Sequence, residues 1–255
     1  MTGVLSVPLL LASANDFSGA FKFIGNNPHL LLTLSGQQMV LSGAAIGAAM
    51  LFGVPLGLVL GHLHKGSFVA INLSNVLRAV PSLGLLAIML ALISFGFLPA
   101  FIAMFVLAFP PILTNVYVAV DGVDPQTVDS ARGMGMSPFG VASRVELPLA
   151  LPLIFAGLRT AAVFVIASAT IASVVGGNGL GNIIFNQPSY GLAGVLGAAI
   201  TVTILSLLVQ GVLLVAQRYL TPRGLRVTRA RGEATALSVA PGGAENLLAA
   251  GTEPA

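Results

Sequence analysis

Charge is scarce in this chain: 7% of its 255 residues are Asp, Glu, Lys or Arg, against 56% hydrophobic, with a mean hydropathy of +0.98. A soluble domain carries about a quarter charged residues. This chain cannot cover a water-facing surface in that way, so lipid must do much of the solvating. Cysteine is absent, which excludes a disulfide framework, a zinc–thiolate site and a thiol nucleophile. Tryptophan is absent too, and the basic residues are scattered until the C-terminus, so the basic stripe with aromatic platforms that nucleic acid requires is missing. The only lysines, Lys22 and Lys65, follow Phe21 and His64, so no Gly-Lys-Ser/Thr phosphate cradle exists. Chemistry on a nucleotide would have to be done by another chain.

What remains is a series of long apolar runs. Backbone groups in lipid must be hydrogen-bonded internally, so these runs read as helices. Five spans are expected, at about Met39–Leu60, Asn72–Ile93, Leu98–Val118, Leu151–Val175 and Leu192–Ala216, the third bent at Pro110-Pro111. The run at 4–12 is shorter than the roughly 20 residues a span needs. It reads as part of an external or interfacial N-terminal segment, residues 1–35, with a sixth spanning helix as the alternative, ahead of a transmembrane unit at 36–220. Residues 221–255 turn to Arg, then Ala, Gly, Pro, Thr and Glu, the composition of a disordered tail.

Orientation follows from the bias of Lys and Arg toward the cytoplasm. With the N-terminus outside, Lys65, Arg132, Arg144, Arg218, Arg223, Arg226, Arg229 and Arg231 fall inside, and Arg78 and Arg159 lie near enough to snorkel there. Only Lys22 falls outside, together with the uncharged 176–191 connection.

The inside segment 121–150 is no ordinary loop. Asp124-Pro125 and Ser137-Pro138 each place a capping side chain before a proline at the first helical position. Val128, Ala131 and Met134 give a short apolar stripe, and Gly133 and Gly135 end the first helix. Pro148 and Pro152 are expected to limit the second and mark the entry to the fourth span. The two short helices either pack against the bundle end or form a partner site.

Here the residues resemble a family. Asp129-Ser130-Ala131, Gly135 and Val145-Glu146-Leu147-Pro148 are similar to the EAA motif of ABC importer permeases, in which Glu-Ala-Ala, three residues, Gly and nine residues precede Ile-x-Leu-Pro. The spacing matches throughout, with Asp129, Ser130 and Val145 as mild departures. The resemblance implies an all-α, polytopic type I importer permease whose coupling helix, here Asp129, Ser130, Ala131, Arg132, Gly133, Met134, Gly135 and Met136, docks on a cytoplasmic ATPase. It also implies a pair of ATPase subunits that bind ATP and Mg, a second permease copy or a sister permease, and an extracytoplasmic binding protein in a bacterial plasma membrane. This chain itself would be neither an enzyme nor a cofactor holder. AVPSLGLLAIML at 79–90, the stretch 122–161 and GGNGLG at 176–181 resemble the permeases of glycine betaine, carnitine and choline importers.

Polar residues inside spans are costly against lipid and should face the bundle or a path. Ser82, Ser168, Thr170 and Ser173 are the expected path residues, while Asn115 and Thr160 are further candidates. Gly53, Gly57 and Gly61, with Gly43 and Gly47 before them, predict close helix approach, either within the chain or between subunits. No intramembrane acid and no inverted repeat supports an ion-coupled secondary transporter, and a membrane scaffold that only binds a partner is a third reading.

Overall fold

The computed structural model describes residues 14–64 and 81–221, with side chains from Phe17 onward. The run at 4–12, the first part of the second expected span with Lys65 and Arg78, and the tail with Arg223 to Arg231 lie outside the described residues. Every described element is a helix: α1 Ala14–Asn26, α2 Pro28–His62, α3 Ser82–Ile93, α4 Phe97–Asp121, α5 Pro125–Gly133, α6 Pro138–Val175, α7 Gly181–Ile184 and α8 Gln187–Leu220. Among them α2, α4, α6 and α8 are long and apolar enough to cross a membrane, and α3 is a shorter apolar helix of twelve residues in the second half of the expected Asn72–Ile93 span.

Burial ranks the helices. About half of the apolar stretch is buried in α4 (56%) and α6 (50%), but only 22% in α2 and 17% in α8. So α4 and α6 form the middle of the bundle, and α2 and α8 flank it with broad apolar faces. The core joins Leu41, Ala45 and Ala49 of α2, Met104, Leu107, Ile112 and Val116 of α4, and Ile154, Leu158 and Val165 of α6. Helices approach closely where glycine removes a side chain. Gly53, Gly57 and Gly61 of α2 lie on Ile112, Val116 and Val120 of α4, a four-residue ladder matched by a four-residue ladder. This glycine repeat therefore packs within the chain. Gly43 and Gly47 meet nothing within 4 Å and are exposed.

Several element boundaries differ from those expected, each for a local reason. The first span begins eleven residues before Met39, because Pro28 starts the helix at its first turn and the mixed 29–38 stretch continues it, with Leu31 and Leu34 buried. The boundary expected at residue 35 thus falls inside α2. Pro148 and Pro152 do not separate a second short helix from the fourth span. Pro138–Val175 is one unbroken helix, with a π turn at Ala142–Glu146. Leu147 N–H bonds back to Ala142 O across this wider turn, which makes room for the Pro148 ring against the backbone before it. The last span does start at Leu192 in conformation, since Gly191 at φ 66° breaks the turn at 187–190 from the rest of α8. It then runs on to Leu220. The 176–191 connection is folded rather than open: Gly176 takes φ 94°, and α7 tucks into the bundle end. Finally, α1 lies against the start of α8, with Phe23 packed on Gly194 and Gly197 and edge-on to Tyr190.

Candidate functional site

The segment between α4 and α6 is built by its caps. Asp124 accepts from Gln126 N at 3.0 Å, Pro125 needs no partner at the first helical position, and α5 follows. At the other end Gly135 N donates to Arg132 O and Met136 N to Ala131 O, at 2.9 and 3.3 Å, with Gly135 left-handed at φ 81°. That is a Schellman stop, the reason a glycine sits at this position. Ser137 then accepts from Gly140 N and opens α6.

Helix α5 therefore has two faces. Val128 and Ala131 are buried with Val123 and Val141, against Met136, Val145 and Leu149. Met134, expected on that apolar stripe, is instead 77% exposed. It is the C-cap residue, already out of helical register, and points away from the bundle. With Phe139, 81% exposed, it gives a pair of apolar side chains beside the open Asp129 and Arg132. The Asp129–Arg132 contact, 4.0 Å and open to solvent, adds little to stability. Ser130 is exposed and donates to Gln126 O, and Gly133 is the last helical residue. The eight coupling-segment residues thus form one cap and turn whose outer side carries apolar and charged groups with no cover among the described residues.

Polar ties bind this end of the bundle together. Glu146 is 2% exposed, and its two carboxyl oxygens lie 2.9 and 2.8 Å from His62 Nδ1 at the end of α2. His64 Nδ1 lies 2.8 Å from Asp121 Oδ1 at the end of α4. Arg159 of α6 donates to Gln217 of α8, whose amide in turn donates to Pro152 O at 3.2 Å. That contact sets Arg159 level with the last turns of α8. Sequence reasoning passed over Glu146, which fills the unspecified place in Val-Glu-Leu-Pro. The signal was a lone acid in an apolar stretch, since a buried carboxyl requires a partner, and His62 and His64 were the nearby candidates.

The opposite end is organised by Gln38, fully buried in α2. Its amide donates to Ile166 O at 2.9 Å and Thr170 Oγ1 at 3.1 Å, and its carbonyl accepts from Leu180 N at 3.0 Å. One side chain therefore joins α2, α6 and the folded 176–184 connection. Ser173 donates to Thr170 O, and Gly181 lies directly on that carbonyl, where no Cβ would fit. Beside this knot a cavity of about 680 Å³ opens among Thr33, Gln37, Val40, Phe95, Phe97 and Asn178.

The four expected path residues are not brought to one surface. Ser168 and Thr170 are buried, and Thr170 and Ser173 are engaged in holding the 176–184 connection. Ser82 is half-buried at the start of α3, roughly 17 Å along that helix from its far end. Asn115 donates to Pro111 O and Thr160 to Ala156 O, so both turn to their own helix backbones.

A bundle of apolar helices with a capped short helix carried at one end is the architecture of a polytopic membrane protein. The family model "Binding-protein-dependent transport system inner membrane component" matches residues 53–225, and the chain belongs to that family. It is 39% identical over 210 residues to the choline transport system permease protein OpuBB of Bacillus subtilis, covering 80% of this chain and 95% of that one. It is 41% identical over 212 residues to the carnitine transport permease protein OpuCB of Listeria monocytogenes, covering 83% and 97%. The glycine betaine/carnitine/choline permease protein OpuCB of Bacillus subtilis is 37% identical over 209 residues. Among solved structures, an inward-facing MetNI methionine ABC transporter matches with a TM-score of 0.68 over 77% of this chain and 99% of that chain. At 21% identity that likeness concerns the fold.

Proposed function

We propose that the chain is the permease subunit of an ATP-driven importer for a quaternary-ammonium osmoprotectant such as choline, glycine betaine or carnitine. The carrying observation for the mechanism is the exposed cap-and-turn at Asp129–Met136, seated by an apolar inner face and open on its outer side. A cleft on a cytoplasmic ATPase subunit would take α5 with Met134, Phe139 and the turn between them, the helix-in-groove mode of recognition. Two such subunits hydrolyse ATP, and a second copy of this chain or a sister permease completes the path. The solute class is supported by the similarity to choline, carnitine and glycine betaine permeases over four fifths of the chain.

In this reading the coupling end is cytoplasmic and the Gln38 end faces outward, where a binding protein releases solute beside the cavity. The N-terminus lies outside and the C-terminus inside. Ser82 borders the path, while Ser168, Thr170 and Ser173 stand behind its wall, the latter two fixing the 176–184 connection. Reconstitution with the ATPase and binding protein tests it. ATP-dependent uptake of radiolabelled choline or glycine betaine is expected, and uptake of an amino acid with neither of these would reassign the solute. Accumulation by this chain alone would remove the ATPase from the scheme.

A further inference from the structure

Two buried polar ties join α2 to α6, and they are matched in spacing. Gln38 and His62 stand 24 positions apart on α2, and their partners Thr170 and Glu146 stand 24 positions apart on α6. The two helices therefore run antiparallel and are fastened at both ends, about 36 Å apart along each axis. That separation is close to the thickness of a bilayer core, roughly 30 Å. Between the fasteners α2 packs chiefly on α4 through its glycine ladder, a close apolar contact with no directional polar bond. The polar ties are directional and buried, with Gln38 at 0% and Glu146 at 2% exposure, so slippage would strand a polar group away from water.

The tie at Glu146 has a further property. It lies on the π turn immediately beyond Val145, which packs under α5. A displacement of α5 reaches Val145, Glu146 and then His62 within one turn of α6.

We propose that the His62–Glu146 pair is a positioning element that makes α2 follow α6, so that movement of the coupling segment reaches the outer cavity lined by Thr33, Gln37 and Val40 of α2. Neither residue touches solute. The inference rests on the reading that an ATPase docks on residues 129–136, and is independent of which osmoprotectant is carried.

The test uses the intact importer, reconstituted with its ATPase subunits and binding protein, with radiolabelled choline as the probe. The double variant His62→Leu/Glu146→Leu replaces the pair by apolar side chains and leaves no buried charge unpaired, a change often tolerated by a fold. The ATPase is expected to stay bound and to hydrolyse ATP, while choline imported per ATP hydrolysed falls at least tenfold. His62→Asn, whose amide nitrogen takes the place of Nδ1, is expected to keep that ratio within twofold of the wild type. An unchanged ratio in the double variant overturns the proposal. Failure of the double variant to assemble overturns it as well, because the pair would then serve stability alone. Loss of the docking reading shows differently: the ATPase would not copurify with the wild-type chain.

Discussion

Asn115 of α4 stands directly over Gly157 of α6: a Cβ built on Gly157 would lie 2.5 Å from Asn115 Cβ and 2.9 Å from Pro111 O. The two central helices touch backbone to side chain at this point, and Asn115 keeps its own amide turned to Pro111 O. Gly157→Ala must push α4 and α6 apart, and overpacking of this kind costs about 1–3 kcal/mol. A lower midpoint of thermal unfolding in detergent is expected. Gly43→Ala, on an open face, is expected to leave that midpoint unchanged in the isolated permease.

Gln38→Leu keeps the size of the side chain and removes three hydrogen bonds. Leu180 N–H would then be buried without a partner, at a cost of about 1–3 kcal/mol. Because the loss is local, hydrogen exchange should accelerate at 178–184 while α4 stays protected. Unaltered exchange there would show that Gly181 packing alone holds the connection.

Gly135 at φ 81° is a position where a β-branched residue is strained. Gly135→Val is expected to insert and fold as a bundle, since nothing lies within 4 Å of the missing side chain. It is expected to lose ATP-driven uptake, because Met134 and Met136 would leave the Schellman turn. Wild-type uptake would count against the docking role of this turn.

Asp124→Ala removes the acceptor for Gln126 N, a cap worth about 1 kcal/mol. The helix is nine residues long and gains little from propensity alone. Faster proteolysis within 124–133, with the spans intact, is the expected result.

Much of this was legible from residue chemistry. Proline after a capping Asp or Ser, and glycine just past the last helical turn, are local signals, and α5 appeared where they placed it. The spans were legible because lipid allows few alternatives to a helix. The ends of the long helices were not, since a stretch such as 29–38, with leucines among His, Thr, Ser and Gln, reads as a connection while it continues α2 in space. Pro148 misled for a related reason: a proline signals a break only if the turn before it cannot widen. Gln38 and Glu146 were missed because their meaning lies in partners more than eighty positions away. For Gln38 the hint was the pair Gln37-Gln38 inside an apolar helix, as the lone acid was for Glu146.

The unbroken helix Pro138–Val175 has 38 residues and so measures about 57 Å, nearly twice the hydrocarbon thickness it crosses. One extremity carries the seat of α5, and the other carries the shoulder on which Gly181 rests. A beam of that length amplifies angle into displacement: tilting it by about 10° around one extremity sweeps the other through about 10 Å. A small rotation at one end is thereby enough to displace the other by about the width of a helix.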